Sequence, residues 1–130
     1  MHNTVVSTTA PRSSSIEWRF ANTTALVANN LVTHALLPRD DGRAGLAGNL
    51  VDAPLSLFVD VASANLHLLP GAIAAIGNGA VLTPPLPADI DGEARDAAPD
   101  VGADEYVAPR PTWVATPHVR TTSASAASPE

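Results

Sequence analysis

The stretch that decides the fold is ANNLV, residues 28–32, read against AGNLV, residues 47–51. Four of the five positions are identical, and Asn49 follows Asn30 by 19 residues. A weaker copy, HNTV at 2–5, puts Asn3 27 residues ahead of Asn30. In each copy an Asn interrupts the apolar sequence, which then resumes. A repeat near twenty residues is the length of one solenoid coil: two or three short strands joined by turns, with equivalent positions stacked. Asn suits such turns because it tolerates the left-handed backbone region and its amide can bond to its equivalent in the next coil. Asn3, Asn30 and Asn49 are therefore the expected turn asparagines.

Working outward from the repeat, the other apolar runs are also short. Val5–Val6, Ile16 to Phe20, Leu26 to Val32 and Leu46 to Val51 are bounded by Asn, Gly, Asp or Pro and read as strands. Ile16-Glu17-Trp18-Arg19-Phe20 alternates apolar and charged residues, as a strand with one buried face does. Arg39-Asp40-Asp41-Gly42-Arg43 reads as a charged, solvated turn between two such runs. Twelve Pro and eight Gly leave few helical windows, the one exception being the short apolar stretch 71–76.

The character of the chain changes at Asp52. Residues 1–52 carry the repeat, and residues 53–108 are a loop-rich segment dense in Pro, Asp and Gly. Residues 109–130 form a Pro/Ser/Thr/Ala tail expected to be disordered, with Trp113 and Val114 its only docking candidates. The run 89–106 holds five Asp and two Glu against the single Arg95.

Composition excludes several classes. The 130 residues amount to 13.3 kDa, room for one small domain. Aromatic residues are 4%, so the core must be built from Ala, Val, Leu and Ile. All seven basic residues are Arg, and the net charge of −6 argues against a nucleic-acid partner, whose phosphates demand clustered positive charge. With no Cys there is no disulfide, thiolate zinc site or cysteine nucleophile. The N-terminal MHNTVVSTTAPRSSS lacks the basic and apolar regions of a signal peptide. The most apolar run, 66–82, is broken by Pro70, Gly71, Gly77 and Gly79 and falls short of the roughly 20 residues a membrane span needs.

Beyond the repeat, LFVDVASANLHLLPG (57–71) and ADIDGEARDAAPDVGADEY (88–106) carry a family likeness. Together with the Asn-containing coils they resemble the C-terminal end of bacterial right-handed parallel β-helix proteins of the pectin-lyase-like, choice-of-anchor kind. Matching positions are Phe58, Asp60, His67, Leu68, Ala75, Ile76 and Gly79, then Asp89, Asp91, Gly92, Arg95, Asp100, Gly102, Ala103, Glu105 and Tyr106. The family's Ser-Pro turn appears here as Ile73-Ala74, and its Asp as Gly77, which implies a looser turn. The resemblance implies an all-β fold: the last two or three coils of a right-handed parallel β-helix and a loop-rich cap. It further implies missing upstream coils as the partner of this piece, an extracellular or cell-surface setting, and association with polysaccharide.

The acids of residues 89–105 are the candidate chemistry. Glycoside hydrolysis needs two carboxyls across the scissile bond, and Asp89 and Asp91 share a face if extended, with Asp100, Asp104 and Glu105 able to converge on them. The structural alternative, which we favour, is that Arg95 ties this segment down through Asp89 or Asp91 on one side and Asp100 or Glu105 on the other, with Tyr106 closing over the last coil. Asp89-Ile90-Asp91-Gly92-Glu93 resembles part of a calcium loop, making Asp89 and Asp91 the weak candidate metal ligands. His2, His34, His67 and His118 are scattered, without zinc-site spacing, and His67 is expected on a solvent face between Leu66 and Leu68. No nucleophile elbow or phosphate loop is present. The sequence thus reads as a structural β-helix terminus with no catalytic residue or cofactor of its own. The competing reading is a diverged polysaccharide lyase or hydrolase using the terminal acids.

Overall fold

Where the apolar runs meet Asn, Asp or Gly the chain turns, so every strand is short. The computed structural model describes residues 1–9 and 14–108; the expected disordered tail, with Trp113 and Val114, lies outside them. The strands are β1 (Thr4–Val5), β2 (Ile16–Arg19), β3 (Thr24–Ala28), β4 (Leu31–Val32), β5 (Leu36–Arg39), β6 (Arg43–Ala47), β7 (Phe58–Asp60) and β8 (Asn65–Leu68). One 3-10 turn, Leu55–Leu57, precedes β7. The described chain is all-β, and its sheets are small and open.

Each strand of the first repeat pairs in parallel with its equivalent in the second. β1 lies on β4, β2 on β5 and β3 on β6, in the registers Thr4↔Leu31, Ile16↔Leu36 and Thr24↔Arg43. A parallel bridge from Leu31 to Leu50 carries the first row to a third level. β7 and β8 form an antiparallel hairpin instead, Phe58 opposite Leu68, closed by a turn in which the Asp60 carboxylate accepts from Ala62 N–H and Ser63 Oγ.

The expected single strand from Leu26 to Val32 is two strands, broken at Asn29–Asn30. The break is local chemistry: Asn29 sits in the left-handed region at φ +54°. The equivalent residues of the other copies, His2 and Gly48, adopt φ +54° and +58°. A side chain on Gly48 would run into Asn29 Oδ1 and the Ala80 backbone, so that level of the stack takes glycine. Strand β5 was not expected because it contains Pro38, which edge strands tolerate. The expected helical stretch 71–76 makes a single turn, with Ala75 and Ile76 N–H groups both donating to the Ala72 carbonyl. The 39–43 run is the turn expected, leaving β5 and entering β6 with Asp40 and Asp41 both at positive φ.

The core lies between the repeat and the following segment. Leu31 of β4 meets Leu57, Phe58, Leu68, Ala72, Ala75 and Val101. Neighbours in a strand face opposite sides, and Leu31 and Val32 are both fully buried, so β4 is covered on both faces. Residues 53–106 therefore pack against the repeat as one unit with it. Their loops carry all the buried acids among the described residues, Asp100, Asp104 and Glu105.

Candidate functional site

Segment 88–106 contains no named strand or helix, so its backbone groups find partners among side chains and scattered carbonyls. Arg95 is the centre. Its side chain is 3% exposed, and its Nη1 donates to Glu105 Oε2 at 2.8 Å. Nη2 donates to the carbonyls of Gly102 and Ala103, both at 2.9 Å, and Nη1 reaches the Asp100 carbonyl at 3.5 Å. The planar guanidinium thus binds one carboxylate and gathers the backbone of 100–103 around itself.

Asp89, Asp91 and Asp100 take other roles than the expected pairing with Arg95. Asp100, buried, accepts from the N–H groups of Gly77 and Tyr106, both at 2.6 Å. Asp89 accepts from Asp91 and Glu93 through Oδ1 and from Glu105 through Oδ2. Asp91 bonds across to His67, Oδ2 to Nε2 at 2.8 Å. The reason is supply: loop N–H donors take up Asp89 and Asp100, and the two Arg95 Nη groups are taken by Glu105 and carbonyls. His67 is correspondingly half-buried rather than solvent-facing, its Nδ1 against Asn65 Oδ1 at 2.6 Å.

Electrostatics follow from these contacts. Burial pushes the Asp100 carboxyl up, against the pull of the Tyr106 and Gly77 N–H groups, with Asp104 and Asp96 adding repulsion. Burial likewise raises Glu105, opposed by the Asp100 and Asp96 N–H groups and by Arg95. For Asp89 burial works in the same direction, but three backbone N–H donors and the Arg95 charge outweigh it and hold the carboxyl below its usual range.

Two groups of side chains bring potential ligand atoms within 4.8 Å of one another: His67, Asp91 and Asp104, and Asp89, Glu93 and Asp104. Asp89 and Asp91, paired in the sequence reading as calcium ligands, fall in different groups. A cavity of about 270 Å³ opens beside the first, walled by Thr4, Leu66 and Ile90 as well as the three ligands. Asp104 is itself buried and accepts the Leu68 N–H at 2.8 Å.

On the repeat, the three asparagines stand in one row. Asn3 Nδ2 donates to Asn30 Oδ1 and Asn30 Nδ2 to Asn49 Oδ1, each at 2.8 Å. The backbone N–H groups of Asn3 and Asn30 reach the same oxygens at 3.2 and 3.0 Å. At the far end Asn49 Nδ2 turns back to the Val27 carbonyl at 2.7 Å. Beside this row Asn29 is held by Ala80, donating Nδ2 to its carbonyl and accepting its N–H, and also donates to His2 Nε2. The cap is thereby clipped to the repeat, reinforced where Ala103 N–H donates to Thr4 Oγ1 and Gly102 N–H to the Asn29 carbonyl. The sequence reading missed these clips, since the residues joined are 51 and 99 positions apart. No protein-family model, curated protein or solved structure matches the chain.

Proposed function

We propose that this chain is the C-terminal structural portion of a right-handed parallel β-helix, of the secreted or cell-surface, polysaccharide-associated class. The observation that carries the reading is the Asn3–Asn30–Asn49 row over three parallel strand pairings, one level per copy of the repeat. Side-chain ladders of this kind hold successive levels in register, and only a sequence repeating at that level spacing can supply them. The acids support a structural role too. Asp89, Asp100 and Glu105 hold backbone N–H groups or Arg95, so they fasten the 88–106 segment, which contains no named strand or helix. A hydrolase or lyase instead needs acids that can exchange protons with a ligand.

Two measurements test the reading. Tandem 19-residue copies added ahead of Met1 should lengthen the particle by about 4.8 Å each in solution scattering, the spacing of neighbouring strands. Incubation with uronate-containing polysaccharides should release no unsaturated or reducing oligosaccharides. Release abolished by Asp91→Asn would establish the enzymatic alternative.

A further inference from the structure

The two ends of the stack are chemically different. Consider the asparagine row first. Asn3 and Asn30 each donate Nδ2 toward the later copy, and Asn30 and Asn49 each offer Oδ1 toward the earlier one. At the Asn49 end the outgoing donor is consumed by the Val27 carbonyl. At the other end Asn3 is exposed, and its Oδ1 has no hydrogen-bond donor among the described residues.

The strand edges repeat this asymmetry. In the parallel register Ile16↔Leu36 through Arg19↔Arg39 the backbone groups alternate between the two edges of each strand, and Pro38 has no N–H to give to β2. The ladder therefore runs through Ile16 and Trp18 to Leu37, leaving Glu17 and Arg19 pointing away from β5 and the Pro38 nitrogen pointing away from β2. The outer edge of β5 therefore lacks a donor in its middle. On the other sheet Asn29 N–H donates to the Ala47 carbonyl while the Ala28 carbonyl accepts from His2, so Thr24 and Leu26 face outward on the β1 side. That side presents the backbone groups of Glu17, Arg19, Thr24 and Leu26, unpaired among the described residues.

We infer that the face formed by β1, β2 and β3 is a docking surface for one further polypeptide rung in parallel register. Its recognition element is an amide donor, Asn, placed over Asn3. The inference rests on the β-helix reading and adds direction and chemistry to it. A second copy of this chain does not fit. Joined face to face by a two-fold axis it would set Asn3 Oδ1 against its own equivalent, acceptor against acceptor. Stacked head to tail it would bring Pro38 and the closed Asn49 end to the site.

The test extends the full chain ahead of Met1 by a copy of residues 28–46 in which Val replaces Pro38, so that the edge laid on β2 keeps its donor and the added Asn stands 19 positions before Asn3. A companion carries Leu at that Asn. Amide exchange of Glu17 and Leu26 should slow at least about tenfold in the Asn-bearing chain and much less in the Leu-bearing one. The amides of Leu36 and Leu46, on the opposite edge, should not change. A synthetic peptide of residues 28–46 with the same Pro38→Val change, and its Asn→Asp form at the ladder position, titrated into the unextended chain, gives the same comparison where the extended chain proves insoluble. Absence of protection from both the extension and the peptide overturns the inference. So does equal protection by the Asn and Leu forms, which would leave the β-helix reading standing without the ladder. Protection at Leu36 and Leu46, or concentration-dependent protection of Leu26 in the unextended chain, would also overturn it.

Discussion

Arg95 Nη1 lies 2.8 Å from Glu105 Oε2, with the two side chains only 3% and 5% exposed. A buried ion pair is a poor net source of stability, but losing one partner strands the other in a dry site. Here the loss also strands the carbonyls of Gly102 and Ala103. Arg95→Ala should therefore destabilise by about 3–5 kcal/mol, read from the denaturant midpoint at pH 7. Arg95→Lys should recover only part, since a point-like ammonium cannot span Glu105 and both carbonyls. A loss under about 1 kcal/mol for Arg95→Ala would show that the cap is not organised around this residue.

The asparagine row yields a contrast between positions with the same residue type. Asn30 is buried and bonded on both sides, whereas Asn3 is exposed at the open end. Asn30→Ala should cost about 1–3 kcal/mol, the penalty of a buried polar group left without its partner. Asn3→Ala should cost about a third of that or less, because water replaces its bonds. Thermal melts of the two variants side by side decide this, and equal losses would mean the row is not cooperative across levels.

How far the sequence revealed this arrangement depends on which residues carried it. The row was legible because Asn recurs beside apolar residues, most plainly in the near-identical copies at 28–32 and 47–51. The detail was not, because two tasks assigned to one residue are divided between neighbours. His2, Asn29 and Gly48 take the left-handed conformation, and the following Asn3, Asn30 and Asn49 take the stacking bonds. The position where the copies disagree is thus the one defined by backbone geometry, which His, Asn and Gly satisfy in different ways. Pro38 hid β5, since its cost in a strand vanishes only when its nitrogen faces an unpaired edge. In the cap, Arg95 and Glu105 were legible as opposite charges in one short segment. The His67–Asp91 contact joins strand β8 to the 88–106 loop across 24 residues, and nothing in local spacing announces it.

Two glycines separate backbone strain from steric exclusion. Gly92 has φ +87° and nothing within 4 Å of where a Cβ would stand. Gly92→Ala should cost only the left-handed penalty, about 1–2 kcal/mol. Gly48, at φ +58°, adds a collision with Asn29 Oδ1 and the Ala80 backbone. Gly48→Ala should then cost about 1–3 kcal/mol more through overpacking, and should loosen the clip between repeat and cap. Equal denaturant midpoints for the two variants would show that the Asn29–Ala80 contact is not rigid.

His2 sets a pH dependence whose sign follows from its burial. Burial, the Arg95 charge and the chain terminus lower its pKa from the ordinary 6.5, outweighing the Gly102 backbone bond that favours the charged form. Its Nε2 meets Asn29 Nδ2 at 2.9 Å, a contact in which the amide donates and the ring must keep a lone pair. The folded chain therefore favours neutral imidazole, and the unfolded chain binds the proton first as the pH falls. The contribution of His2 is fully present above pH 6.5 and is lost progressively as the pH drops through that value toward the lowered folded one. His2→Asn keeps a residue that tolerates φ +54°, as Asn29 does one level on, and removes the titration. Urea midpoints at pH 7.5 and pH 5 should fall more steeply on acidification for the wild-type chain than for His2→Asn. Parallel lines for the two proteins would mean that the proton reaches His2 without disturbing the fold.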